Sequence, residues 1–316
     1  MKKYVALTML VISGMGLCSA AMAESWQSPL QQEHPLVGRI FDVHSGEDLA
    51  EEALLARLVQ ERYILLGEKH DNADHFTMEQ KLLTALLARQ RNSRVVFEML
   101  DDSQQAAIEQ LAPAAGLAQI KQALQWPSRG WDWQRYGPLF QLTLNAGASL
   151  VAGNVRSELL KQVYQTGEAA LLPAQRFASL AVLSSAQRRQ IQQQVYESHC
   201  EMMPLESLAP MVTVQMAKDA SMAYAMIQGS SAQTILIAGG FHVSRDVGVP
   251  RHLQWLAPEA QSTVLMMMEV EPDIRSLSDY GDELKAIADY VWFSPRATDK
   301  DYCAGLRKQH RMQGQP

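Results

Sequence analysis

The apolar positions of this chain fall into short runs that alternate with longer stretches of helical spacing. Tyr63-Ile64-Leu65-Leu66, Arg94-Val95-Val96-Phe97-Glu98-Met99 and Ala148-Ser149-Leu150-Val151-Ala152 read as strands, as do Ile235-Leu236-Ile237-Ala238, Thr263-Val264-Leu265-Met266-Met267-Met268 and Tyr290-Val291-Trp292-Phe293. A strand covered on both faces is apolar throughout instead of alternating. Between the runs, Leu49, Ala53, Leu54 and Leu58 recur at helical spacing, and so do Met78, Leu82, Leu83, Leu86 and Leu87. Asp71-Asn72-Ala73-Asp74 supplies capping groups for the second of these helices. Tyr136 to Leu144 and Arg156 to Tyr164 are further helices, the latter stopped at Gly167, and a short strand is expected near Arg39–Asp42. Ser45-Gly46-Glu47-Asp48 is read as a helix start. From about Leu171 to Gln228 the pattern is helical with no strand. Strands alternating with helices predict an α/β fold, a mostly parallel sheet with helices on both faces and a helical insertion at about 171–228.

Four of the strands end in polar or glycine-rich groups: Gly67-Glu68 and His70, Glu98, Gly153-Asn154, and Gly239-Gly240-Phe241-His242. Parallel strands share one carboxyl edge, where open α/β sheets hold ligands, so these groups predict a common site. Independent caps and turns are the other reading. Clustered carboxylates and imidazoles suit a metal or an acid–base set. Gly67, Gly239 and Gly240 are expected to adopt angles closed to other residues and to admit a ligand closely. His75 either joins the site or begins an exposed first turn, and His199 is read as structural. Trp126, Trp131 and Trp133 form a wall for a flat ligand or packing beneath a loop. The methionines at 211, 222, 226 and 266–268 are read as core filling, with a soft-metal or haem pocket as the other reading. No nucleophile elbow, Walker loop or dinucleotide fingerprint is present.

The start of the chain changes the picture of where this site operates. Met1-Lys2-Lys3, an apolar run from Tyr4 to about Leu17 and Ala21-Met22-Ala23 read as a secretory signal peptide, residues 1–23, too short to remain in a bilayer. Cleavage after Ala23 would leave residues 24–316 as a single domain in the periplasm, its formal charge moved from −6 to −8 by loss of Lys2 and Lys3. Cys18 raises lipidation, although Met15-Gly16-Leu17 fits such a site poorly. No basic stripe points to nucleic acid. Cys200 and Cys303 remain, and in an oxidising compartment they are expected to form a disulfide joining the helical middle to the tail; two unpaired buried thiols are the alternative.

Leu66-Gly67-Glu68-Lys69-His70-Asp71-Asn72, Phe97-Glu98-Met99 and Ala238-Gly239-Gly240-Phe241-His242-Val243 through Gly248-Val249-Pro250-Arg251 resemble the ChaN-like haem-binding uptake family. His199-Cys200 and the tail from Asp289 to Arg307 fit the same pattern, so the resemblance spans nearly the whole chain after residue 23. It departs at Gly240, where the family commonly has Asn. The resemblance implies an exported bacterial protein that binds haem for iron acquisition, with two cofacial haems in a homodimer and each iron held by one tyrosine. Tyr136, Tyr196 and Tyr224 are candidates, and Tyr136 is preferred for its neighbouring tryptophans. A tyrosinate is a hard anionic ligand suited to ferric iron. Lys69, His70 and His242 would then bond the propionates, and an outer-membrane haem receptor or transporter would be the partner. The wider superfamily includes the Tiki metalloproteases and erythromycin esterase-like hydrolases. This implies an alternative, a metal-dependent hydrolase that uses Glu68, His70, Glu98 and His242, with His70, Glu98 and His242 as metal ligands. A third reading is a partner-docking subunit with a vestigial crevice.

Overall fold

The computed structural model describes residues 25–127, 129–171, 174–305 and 307. The expected signal peptide and Cys18 lie outside the described residues. Every apolar run singled out above is a strand. In chain order the strands are β1 (Ile40–Asp42), β2 (Asp48–Leu49), β3 (Tyr63–Glu68), β4 (Ser93–Asp101), β5 (Ser149–Asn154), β6 (Gln233–Gly239), β7 (Ser262–Glu269) and β8 (Tyr290–Ser294). They make one sheet ordered β2-β1-β8-β7-β3-β6-β4-β5. The six strands from β8 to β5 are parallel, whereas β1 adds antiparallel to β8 and carries β2 on its outer side. Leu30 and Arg296 exchange backbone hydrogen bonds beside this edge, so segments from both ends of the described chain meet there.

Helices cover both faces, which is why the strands read as continuous apolar runs. On one face lie α1 (Glu51–Leu58), α2 (Ala73–Arg89), α3 (Gln105–Ile108), α4 (Leu117–Ala123) and α5 (Trp133–Asn145), packed on Ile64, Leu66, Val95, Phe97, Ile235 and Ile237. The alternate residues Leu65, Val96, Leu236 and Val264 face the other side. After α6 (Ser157–Thr166) and α7 (Ser185–Ser198), α8 (Ala209–Ile227) lies there with Met222 and Met226 wholly or almost wholly buried. A single turn, α9 (Gly240–Val243), follows β6 directly, and α10 (Val249–Leu256) and α11 (Glu283–Ile287) complete the order. A separate apolar cluster joins α6, the 3-10 segment Gln175–Val182, α7 and the first half of α8 into a helical layer. Met222, Met226, Met266 and Met267 fill cores, as read from the sequence, and Met216 does the same, whereas Met211 and Met268 are only half-buried.

The helix start expected at Ser45–Asp48 is instead a turn and a strand. The Asp42 carboxylate accepts the amides of His44 and Ser45, folding the chain back so that Leu49 pairs with Ile40, and α1 begins at Glu51. The start of α2 is built as predicted but serves more than a cap. Asn72 Oδ1 accepts the amides of Asp74 and His75 at 2.9 and 3.3 Å, while its Nδ2 donates to Glu269 Oε1 at 2.9 Å and to the Pro295 carbonyl at 3.0 Å. One side chain thus ties α2 to the ends of β7 and β8.

His75 belongs to this structural layer and not to the site. It is fully buried, its Nδ1 accepts the Lys69 amide at 2.9 Å, and its Nε2 lies 2.9 Å from Ser294 Oγ. Burial, with a smaller push from the Lys69 charge, lowers the imidazole to about 3. His252, also buried, falls to about 4 for the same first reason. Both therefore stay neutral in the folded chain but take up protons in the unfolded chain below about pH 6.5. The folded state, whose values are depressed, keeps this stability above pH 6.5 and loses it as pH falls towards 4 and 3. Denaturation curves against pH should show stability falling over that interval, by about 1.4 kcal/mol per pH unit for each histidine. His75→Gln should flatten part of the slope; an unchanged slope would remove His75 from the account.

Candidate functional site

The order β3-β6-β4 decides which side chains meet. Glu68 pairs in register with Gly239, so the carboxyl ends of β3 and β6 lie level. Glu98, on β4, reaches across to this point, where its Oε2 accepts the Gly239 amide at 2.9 Å. The chain turns into α9 immediately after Gly239, which brings His242 back over Glu98, with Nε2 3.1 Å from Oε1. His242 Nδ1 faces Asp219 Oδ1 on α8 at 2.5 Å and Gln215 Nε2 at 3.0 Å. On the other side, His70 Nδ1 lies 3.0 Å from Glu68 Oε1, and its Nε2 lies 3.8 Å from Glu98 Oε2. The Tyr136 hydroxyl donates to Glu68 at 2.8 Å. Glu68, His70, Glu98 and His242 are therefore brought together, as their strand ends predicted.

The glycines are needed for contact more than for backbone angle. Gly67, Gly239 and Gly240 are all outside the left-handed region, with Gly239 at φ −60°. A Cβ on Gly239 would lie 2.8 Å from His70 Nε2, and one on Gly67 would lie 2.4 Å from Val243 Cγ2. The expectation of special backbone angles is thus corrected: these positions let one side chain of the protein press against another's backbone.

Charge is distributed unevenly over the cluster. Burial alone would lower His242, but Glu98 and then Asp219 outweigh it and raise the imidazole to about 10. Burial alone would raise Glu98, yet His242, His70 and the Gly239 amide hold it well below the usual carboxylate range. Asp219, fully buried, is pushed up by that burial, only partly offset by His242. The firm ion pair is therefore Glu98 with His242, and Asp219 orients the imidazole from behind. His70 is 38% exposed, and it is raised because its bond to Glu68 outweighs the burial cost. Burial first, and then the charges of Glu68 and Glu79, push the Tyr136 phenol far above its ordinary value. Glu79 lies fully buried, raised by burial and by Glu68, and neither of its oxygens has a hydrogen-bond partner.

Four contributors went unread in the sequence: Asp219, Gln215, Glu79 and Arg135. Asp219 falls on the apolar stripe of α8 with Val212, Met216 and Ala223, and Glu79 falls on that of α2 with Met78 and Leu82. An acid on a buried helical stripe was the available signal. Arg135 bonds the carbonyls of His70 and Asp71 and so fixes the loop, a contact with no sequence pattern. Of the residues that were singled out, Asn154 supports Glu98 through the backbone, with its Nδ2 donating to the Glu98 carbonyl at 2.9 Å. Lys69 pairs with Asp71 at 2.5 Å and with Glu269 at 3.4 Å. Trp131 stands edge-on to His70 with ring centroids 4.6 Å apart, whereas Trp126 and Trp133 pack on Phe140. Phe241, beside His242, is 59% exposed. His199 caps α7 through Val195, as read. Tyr224 lies five residues beyond Asp219 on α8, about 7.5 Å along the helix. Tyr196 is on α7.

Among the described residues no group of three His, Cys, Asp or Glu side chains is disposed to hold a metal ion. The set expected as ligands, His70, Glu98 and His242, has its one carboxylate facing both imidazoles. Asp219→Asn should lower the His242 titration from about 10 by at least one unit, because the amide removes a negative neighbour without changing size. Histidine ring signals followed by NMR against pH would read this, and an unmoved midpoint would show that Asp219 does not hold the imidazolium.

The model for haem-binding uptake proteins of the Tiki superfamily, ChaN, matches residues 54–253. Among solved structures, ChaN of Campylobacter jejuni, described for its cofacial haem binding, is similar with a TM-score of 0.67 and 23% identity, over 80% of this chain and 95% of that one. The type III effector HopBA1 follows at a TM-score of 0.43 and 11% identity, over 87% of this chain and 100% of that one. The RRSP effector domain of a Vibrio vulnificus toxin gives 0.39 and 13%, over 71% and 36%. No curated protein matches the chain. The matched stretch runs from α1 to α10 and holds Glu68, His70, Glu98, Asp219 and His242, and the chain belongs to the ChaN family of haem-binding uptake proteins in the Tiki superfamily.

Proposed function

We propose that this chain binds haem at the crevice over His70 and serves bacterial haem or iron uptake. The family match, which encloses every residue of the crevice, carries the proposal. The mouth suits a flat amphipathic ring. Phe241 and the edge-standing Trp131 offer apolar surface, the exposed ring of His70 lies between polar and apolar neighbours, and Lys69, which a propionate would have to draw from Asp71 and Glu269, is the neighbouring cation. Bound haem would supply a ferric centre open to an axial oxygen or imidazole ligand. His242 is buried between two acids, which favours an orienting role over propionate contact.

The reading of Tyr136 as the axial ligand changes with its surroundings. Its phenol is buried, donates to Glu68 and is pushed far above its ordinary value by burial and carboxylates. A tyrosinate there would be an anion facing Glu68. Tyr136 is better suited to fix Glu68, which in turn orients His70. The sharing of haem between two copies of the chain, export to the periplasm and hand-over to an outer-membrane receptor or transporter belong to the same proposal.

One observation favours a second reading, a hydrolase. Glu98, His242 and Asp219 form a buried acid–imidazole–acid relay, costly to desolvate, that haem binding does not require. Absorbance titration of the purified protein with haem should give saturable binding. His70→Ala should weaken it about tenfold or more, and Tyr136→Phe should retain the spectrum of the bound iron. Loss of that spectrum in Tyr136→Phe would restore the phenolate ligand. No stoichiometric complex in the parent protein would overturn the haem reading, and turnover of ester or peptide substrates that Glu98→Gln abolishes would establish the second.

A further inference from the structure

The tail beyond β8 does not leave the molecule at the strand's end. Pro295 is bonded by Asn72, the Ala297 amide donates to Glu269 at 2.8 Å, and Arg296 pairs with Glu271 at 3.2 Å. The chain then crosses the carboxyl edge of the sheet. The Tyr302 hydroxyl donates to the Asp71 carboxylate, one residue from His70, and the next residue, Cys303, is joined by a disulfide to Cys200.

Cys200 sits in the turn after α7, where it and Glu201 both hold left-handed backbone angles, φ 60° and 58°. That turn leads through the 3-10 segment Leu205–Leu208 into α8, the helix that presents Gln215 and Asp219 to His242. Two consecutive residues of the tail thus touch both walls of the crevice: the loop bearing His70 and the helical layer bearing Asp219. Within the layer α7 rests chiefly on α8 and on segment 205–208, while α8 itself packs on β5 and α10. Among the described residues the tail is a tie across the mouth, covalent at Cys303 on one side and, at Tyr302, a hydrogen bond on the other.

We propose that residues 295–303 form a thiol-latched strap that governs entry to the crevice. Cys303 is partly exposed, whereas Cys200 is 7% exposed, so an incoming thiolate meets the Cys303 sulfur. A dithiol reductant attacks Cys303 Sγ, and Cys200 leaves as thiolate. The second thiol of the reductant then displaces Cys303, so the reductant becomes a disulfide and both cysteines become thiols, with two electrons and two protons transferred. Freed of its covalent anchor, the strap keeps its contacts at residues 295–297, and among the described residues its far end is held at the mouth by Tyr302–Asp71, an exposed contact of low worth. The effect on ligand entry rests on the haem reading above, but the movement of the strap does not.

Hydrogen exchange of residues 69–72 and 240–243 and stopped-flow haem association, each on oxidised and reduced full-length protein, test this together. Reduction should speed both by about fivefold or more. Cys303→Ser should match the reduced protein and ignore reductant. Tyr302→Phe, which keeps the disulfide and so guards against a variant that fails to fold, should raise exchange at 69–72 alone. Equal exchange in oxidised and reduced protein would overturn the latch while leaving haem binding untouched. Faster exchange with no haem bound in either form would overturn the haem reading and keep the latch.

Discussion

An imidazolium with almost no access to water stands between two buried carboxyl groups at the end of β6. A charge in such surroundings persists only where its compensation is fixed in place, and removing one partner of a buried pair costs several kcal/mol, about 3–5. His242 comes from α9, Glu98 from β4 and Asp219 from α8, so three elements far apart in the chain are held to one geometry. The helical layer is therefore no appendage to the sheet. It closes the site from above and brings the second acid to His242.

The sheet was legible because burial on both faces writes itself as unbroken apolar runs, as at Ile64–Leu66 and Ile235–Ala238. The carboxyl-edge cluster was legible because parallel strands share a direction, so Glu68, Glu98 and His242 had to meet once β3, β6 and β4 were neighbours. What escaped the sequence was contributed by helices. Asp219 and Glu79 occupy positions on apolar stripes where a reader expects leucine or methionine, and their partners lie in other elements. His75 shows the reverse error in kind: a polar residue near the motif, open to both readings, that turned out to link α2 to Ser294. The pairing of Cys200 with Cys303 was expected from compartment and number, but its place over the crevice follows only from where α7 ends.

The chain Tyr136–Glu68–His70 carries orientation outward from the core. A phenol that cannot ionise donates to a carboxylate, the carboxylate holds one imidazole nitrogen, and the imidazole is left with its ring at the surface. Behind it lies Glu79, whose carboxyl is pushed up by burial and by the neighbouring charge of Glu68. The result is a histidine whose direction is set by groups that themselves never reach solvent. For the proposed haem site this makes His70 the preset element and leaves the aromatic rim, Trp131 and Phe241, as the part free to adapt.

The antiparallel edge has a consequence in time as well as in space. β1 pairs with β8, about 250 residues later in the sequence, and Leu30 meets Arg296 beside it. Until β8 is in place, the β1–β2 pair has no strand of the main sheet to join and the outer side of β7 is an open edge. Closure over so long a loop adds little to the thermodynamic cost but slows assembly, because distant segments must meet before either is rewarded. Because β8 is the last of the described strands in chain order, the sheet stays unfinished until residues 290–294 are made. During that interval the free edge of β7 is open to pairing with another chain, and the arrival of β8 closes it.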